Sequence, residues 1–269
     1  MDLIDIGANL THASFEHDFR QVVDNARSAG LTHIILTGTD LATSGAAARL
    51  AAATPDFFSA TAGFHPHVAQ SFDHGAKAEI AALGALGEVV AVGETGLDFN
   101  RNYSPRRDQL ACFEHHLEIA AGLGKPLFLH QRDAHGDFVA LLRAHRERIA
   151  GGVVHCFTDT RAALRDYLDL GMHIGITGWI CDERRGVELQ AIAKFIPPDR
   201  LLLETDAPYL LPRTLKPKPA GRRNEPKYLP AVLEQVAACT GRDAAEIARQ
   251  TTANAIRLFG LPVDREDAE

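Results

Sequence analysis

Along the chain, short runs of β-branched and aliphatic residues alternate with longer stretches in which Ala, Leu, Glu and Arg recur at helical spacing. The apolar runs are residues 3–6, 33–37, 58–62, 89–93, 126–129, 153–155, 173–176 and 201–203, each short enough for one strand. Helical patterns cover 15–29, 41–53, 105–123, 137–149, 161–170 and 186–195, and the tail from Tyr228 to Leu258 adds more. Gly30, Gly124, Gly151 and Gly171 stand just past helical patterns, where a left-handed backbone costs least without a Cβ. Asp243 is the predicted N-cap of the AAEIARQ segment.

Strands that alternate with helices build a parallel sheet covered by those helices, and about eight strands is the number that closes a TIM-like (β/α)8 barrel. A chain of 269 residues has no room left for a second domain, so residues 1–269 are predicted as one barrel with C-terminal helices. One stretch breaks the rhythm. Between Pro212 and Pro230 lie five prolines, which forbid a regular helix, and six basic residues against Glu225 alone. This stretch follows the last strand, on the face where barrels of this type carry their working loops, and its charge suits an anionic substrate.

Composition narrows the function. Lys plus Arg total 28 against 35 Asp plus Glu, for a net charge of −7, so a general electrostatic coat for nucleic acid or an anionic membrane is excluded. Contact with phosphate must be local or metal-mediated. Apolar runs fall short of the roughly 20 residues of a membrane span. The opening MDLIDIGANL lacks the basic and apolar regions of a signal peptide, and a cytoplasmic location is predicted. Cys112, Cys156, Cys181 and Cys239 form no CxxC pair, so they read as reduced thiols, with Cys156 as buried packing.

The chemistry lies at the strand ends. His65 and His67 follow the third strand, Glu94 the fourth, His130 the fifth, His155 the sixth, and Glu204 and Asp206 the eighth. Parallel strands deliver such side chains to one mouth, where imidazole and carboxylate without thiolate suit Zn²⁺, Mn²⁺ or Mg²⁺ in a hydrolytic site. Glu94, from a middle strand, is placed to bridge two ions, and Asp206 to orient or deprotonate a water. Histidines 12, 17, 33, 74, 115, 116, 145 and 173 receive no role. The GLGK run at 122–125 ends a helix and is no phosphate loop.

GFHPH, GETGLDFNRN, LHQRDA, HCFTDT, GITGWICDERRG, LLLETDAPYLLPR, RRNEP and NAIRLFG, in this order, resemble segments of the TatD family of metal-dependent nucleases within the amidohydrolase superfamily. The resemblance spans nearly the whole chain and is most specific in GETGLDF and ETDAPYL. It implies a TIM-like barrel, a divalent cation (magnesium first, with manganese or zinc as alternatives, one or two ions) and hydrolysis of DNA phosphodiesters from the 3′ end. By motif position it implies Glu94 as bridging carboxylate, His130 and His155 as ligands of one ion, and Asp206 as catalytic aspartate and ligand of the other. His65 and His67 correspond to the family's substrate- or metal-proximal pair, and Arg222, Arg223 and Asn224 to an element whose guanidinium forks bind phosphate.

Two positions depart from the family pattern. Many members begin with D-x-H-x-H, whereas this chain has Gly7 and Asn9 at the histidine positions, in the form of the branch that gives the family its name. Glycine cannot ligate and asparagine offers only a carbonyl oxygen. Asp159 stands where a glycine is common, and nothing in the sequence explains it.

The expected protein is a monomeric exonuclease trimming single-stranded DNA, with RNA a further substrate. Two other readings stay open at this point: an amidohydrolase acting on a lactone, cyclic amide or aminoacyl ester, and a metal-poor barrel that binds without cutting.

Overall fold

The structure is a computed structural model, and it describes residues 2–262. Eight parallel strands run in sequence order around one sheet: β1 (Leu3–Ala8), β2 (Leu31–Leu36), β3 (Phe58–Ala62), β4 (Val89–Asp98), β5 (Leu127–Arg132), β6 (Gly152–Val154), β7 (His173–Ile176) and β8 (Leu201–Leu203). Helices α1 (Phe19–Ser28), α2 (Leu41–Ala53), α3 (His74–Gly84), α4 (Arg106–Leu123), α5 (His135–His145), α6 (Arg161–Asp169) and α7 (Val187–Ile192) cross between them. Two more, α8 (Leu229–Thr240) and α9 (Ala244–Phe259), follow the last strand, and Asp243 caps α9 by accepting from the Glu246 N–H. The predicted (β/α)8 barrel is therefore the observed fold. The sequence pattern did not mark α3, whose Ala- and Gly-rich HGAKAEIAALG carries little amphipathic signal.

Alternation along the strands divides the core. Ile34, Leu36, Leu127, Leu129, Leu201 and Leu203 face the helices, while Ile35, Phe128 and Leu202 join Ile4, Ile6, Val90 and Val153 inside the barrel. Ala255, Phe259 and Leu261, on and just after α9, close the lower end of that inner cluster.

The seam between β8 and β1 forms just past the end of β8. The Asp206 N–H donates to Gly7 O (2.8 Å) and the Asn9 N–H to Ala207 O (2.7 Å). Below them the buried Asp5 carboxylate accepts from the backbone N–H (2.9 Å) and the hydroxyl of Thr205, and burial raises its pKa to about 7 against those hydrogen bonds. The non-glycine residues with left-handed backbone among those described are Asn102, Asp133, Cys156, Asp206 and Leu210, with φ between 44° and 55°. All five lie in loops that follow strands. The left-handed turns that follow helices fall on glycines such as Gly30, Gly124, Gly151 and Gly171.

Candidate metal centre

Strand parity explains why the side chains meet. His130 lies two residues beyond Phe128, His155 two beyond Val153, and Glu204 and Asp206 two and four beyond Leu202, so all continue the inward face of their strands. Glu94 sits where the pairing of β4 with β5 shifts register between Gly93 and Thr95, an irregularity of the kind that re-aims a side chain. At Gly93 and Gly96 a Cβ would run into the backbone of Phe128 and of His130. These glycines let β4 continue to Asp98, well beyond the predicted end at residue 93.

One carboxylate oxygen is the hub. Glu94 Oε1 lies 2.8 Å from His155 Nε2, 3.1 Å from His130 Nδ1 and 3.3 Å from His65 Nε2. Burial alone would raise the Glu94 pKa, but the imidazoles of His155, His65 and His130 reverse the sign and hold it well below the usual carboxylate range. His155 is clamped on its other side by Glu204 (Nδ1 to Oε2, 3.4 Å) and stacked on Phe128. Burial opposes its charge, yet the two carboxylates lift its pKa well above that of a free imidazole. His65, by contrast, is lowered to about 4, chiefly by burial.

A second acid supports the cluster. Asp98 lies 2.6 Å from His67 Nε2 and 3.6 Å from His130 Nε2, and its Oδ1 accepts the N–H groups of Asn100 and Arg101. Burial would raise it, but His130, His67 and the Arg101 N–H lower it well below the usual range. Asp206 sits across the cavity, accepting from Asn9 Nδ2 at 3.1 Å. Burial, reinforced by Glu94 and Glu204 against the pull of His155, pushes its pKa up to about 8.

These residues fit a divalent cation. His65, Glu94 and His130 present ligand atoms all within 4.8 Å of one another. Nε2 of His130 is buried without a hydrogen-bond partner, and the carboxyl groups of Glu94, Glu204 and Asp206 crowd together around the cluster, negative charge that a cation offsets.

The structure also accounts for Gly7. A Cβ there would fall 2.8 Å from Glu204 Oε2 and from Phe128 Cζ, and a Cβ at Gly175 would press on Glu204 from the opposite side. The two glycines wall a slot for the fully buried Glu204, which receives the Cys156 N–H (2.6 Å), so a side chain at position 7 has to displace Glu204 or the Phe128 ring. Gly7→Ala is expected to lower the unfolding free energy by about 1 to 3 kcal/mol through overpacking, read by chemical denaturation.

A cavity of about 540 Å³ opens over the cluster, lined by Asn9, His65, His67, Glu94, His130, His155 and Asp206 together with residues that the sequence did not single out: Thr11, His12, Thr39, Arg101 and Tyr209. Arg101 follows directly on the specific GETGLDFN run, the one signal that pointed to it. Cys156 lines the cavity as well and is only partly buried, which corrects its reading as core packing. Its thiol is pushed up to about 12 by burial and the neighbouring Asp206. Asp159 has a role after all: its carboxylate accepts from Gln131 Nε2 (2.8 Å) and the Thr160 N–H, tying the loop after β6 to the end of β5.

The basic loop departs most from expectation. Arg223 is held in a bidentate pair with Asp18 (2.9 and 2.6 Å), contacts Glu225 at 3.1 Å and lies over the Phe15 ring. Asn224 is buried, donating to Thr205 O (2.9 Å) and accepting from the Glu225 N–H. Neither lines the cavity; Arg223, through Asp18, and Asn224, through Thr205, anchor the loop. Lys227 and Arg213 are likewise paired, with Glu225 and Glu183. Arg222, Lys216 and Lys218 are exposed and make no ion pair among the described residues. Arg223→Ala is expected to lower the melting temperature by about 2 to 4 °C, allowing for the solvent that reaches Asp18. Since the guanidinium holds Asp18 below its ordinary pKa, this stabilisation is present in full above about pH 4 and is lost as pH falls through the lowered value. Arg222→Ala should leave melting unchanged.

Comparison with known proteins agrees with the geometry. The family model described as TatD related DNase matches residues 4–260. A protein from Edwardsiella piscicida named 3′-5′ ssDNA/RNA exonuclease TatD is 53% identical over 96% of this chain and 100% of its own length. One of the same name from Klebsiella pneumoniae is 51% identical over 97% and 99%. Among solved structures, a TatD homologue from Escherichia coli K12 superposes with a TM-score of 0.87 at 27% identity, covering 97% of this chain and 98% of that one. An organophosphorus hydrolase variant from Deinococcus radiodurans, at 16% identity and a TM-score of 0.60 over 96% of this chain and 92% of that one, shares the fold alone.

Proposed function

The chain belongs to the TatD related DNase family, and from that premise we propose that it is a metal-dependent 3′–5′ exonuclease of single-stranded DNA, with RNA as a further substrate. The observation that carries this reading is the convergence of three imidazoles on one Glu94 oxygen at the mouth of the barrel, beside an arginine. The lactone, cyclic-amide and aminoacyl-ester readings, and the non-cutting barrel, lack comparable support.

Glu94 and His130 are the residues we assign to hold a divalent cation together with His155, which shares the same Glu94 oxygen, and with His65, the third member of the close donor group; Asp206 and Asn9 lie on the side of a second. Magnesium is our first assignment; the same donors accept manganese or zinc. Bound there, the cation supplies positive charge to the phosphoryl oxygens and lowers the pKa of a water. The protein's own groups do the rest. His155, fixed between Glu94 and Glu204, and His130, fixed by Glu94 beside Asp98, keep their rings in one orientation. Asp206 is fixed through Oδ1 by Asn9, and its other oxygen accepts no hydrogen bond among the described residues, so it is the group placed to orient a water and take its proton. Arg101, on the cavity wall, faces the anionic substrate, and His67, held by Asp98, stands beside it.

No helix among the described residues is long and apolar enough to cross a membrane. We assign the enzyme to the cytoplasm, where its four free cysteines stay reduced, and take it to act as a monomer, since one chain supplies every wall of the cavity. The test is digestion of a single-stranded oligonucleotide labelled at either end, with Mg²⁺. The 3′ label should leave first as a mononucleotide, while the 5′-labelled strand shortens stepwise. Internal cuts, or an intact strand, would overturn the assignment.

A further inference from the structure

Four tyrosines occur in the chain, and two of them, Tyr103 at 62% and Tyr209 at 53%, are more than half exposed. Tyr209 lines the cavity, and Tyr103 stands beside it, against the cavity-lining His67. Tyr103 meets the His67 ring edge-on, with centroids 4.7 Å apart, and Tyr209 meets the His12 ring in the same way at 6.1 Å. His67 and His12 both line the cavity, and both are fixed, His67 by Asp98 and His12 by accepting the Ser14 N–H at the start of a 3-10 turn. The other exposed large apolar side chains are Leu86, Val187 and Phe195; none lines this cavity, and the Phe195 ring is covered by the Arg161 guanidinium at 3.7 Å.

The backbones behind the two rings are pinned. Ser104, buried next to Tyr103, donates its hydroxyl to His67 O (2.9 Å) and accepts the Gln70 N–H (3.1 Å), while Gln109 Nε2 holds its carbonyl. The Tyr209 N–H donates to Asp206 O at 2.9 Å, which ties that ring to the aspartate of the site. Neither hydroxyl makes a hydrogen bond among the described residues, so no polar contact accounts for their exposure.

An aromatic ring on a pinned backbone, open to solvent beside a site for a nucleic-acid strand, is a platform for an unpaired base, because every base offers a π-face to stack. We propose that Tyr103 and Tyr209 form a base-stacking subsite that receives the unpaired bases flanking the link to be cut, and so act as positioning residues that favour single strands. The proposal rests on the nuclease reading above.

The test compares the wild-type protein with Tyr103→Ala, Tyr209→Ala and the matching Phe variants on a single-stranded oligonucleotide, and on the same strand with its last two 3′ nucleotides abasic. Stacking predicts that each Ala variant raises KM by about 5- to 150-fold on the complete strand, with a smaller change in kcat. Phe variants should stay near wild type, since the ring face and not the hydroxyl makes the contact. On the abasic strand the wild type should weaken to the level of the Ala variants. An unchanged KM in both Ala variants overturns the proposal, as does a penalty that persists on the abasic strand or Phe variants as poor as Ala. Failure of the nuclease reading itself looks different: the wild-type protein would leave the complete strand uncut with Mg²⁺ present.

Discussion

Glu94→Gln should reduce cleavage of a single-stranded oligonucleotide by about a thousandfold or more, with the far-ultraviolet circular dichroism of the native fold retained. The substitution preserves side-chain volume at a buried strand position while removing the charge toward which His65, His130 and His155 all turn. Two effects add. A ligand charge is lost from the cation site, and the imidazoles lose the acceptor that fixes their orientation. Calorimetric titration with Mn²⁺ separates the outcome from misfolding: weakened binding in a folded protein is the expected result, and a folded variant at near-native rate would remove Glu94 from the site.

Blunt duplex DNA should be degraded about a hundredfold more slowly than a single strand of the same sequence, in matched assays at fixed salt. The cavity of about 540 Å³ is sized for the end of one strand, and its chemical groups lie at its floor, on the inward face of the barrel. A paired terminus must first open, which costs a few kcal/mol per nucleotide extruded. A duplex with a single-stranded 3′ overhang should be trimmed at the fast rate and stall at the junction. Equal rates on blunt and single-stranded ends would mean that the paired end enters intact.

The barrel was readable because its apolar runs keep strand length and its helices end on glycines. The same regularity made much of the site readable, since His130, His155 and Asp206 continue an apolar register by steps of two. Asp98 was missed for a physical reason: Gly93 and Gly96 look like the end of a strand, whereas here they are the condition for close approach to β5. Asp5 and Glu204 hold the seam and the floor through contacts with residues about 200 and 50 positions away, a separation at which sequence pattern carries no signal. The arginines of the Pro-rich loop looked free because Asp18, the partner of Arg223, lies in another part of the chain. Arg101 and Tyr209 entered through loop geometry, their only signal in the sequence being their place beside GETGLDFN and within ETDAPYL.

The five left-handed residues on the strand-end face bear on how this protein would respond to selection. Left-handed backbone at a side chain such as Leu210 or Cys156 is held against its preference, and residues of this kind are tolerated where the neighbouring loops fix them. The opposite rim meets the same requirement with glycine and carries no such tension. A laboratory lineage evolved for survival at high temperature should collect substitutions that relax the loops after β4 and β8, and surrender rate as it does so; one evolved for rate should leave those loops tense and gather its compensating changes around α9 and the lower rim.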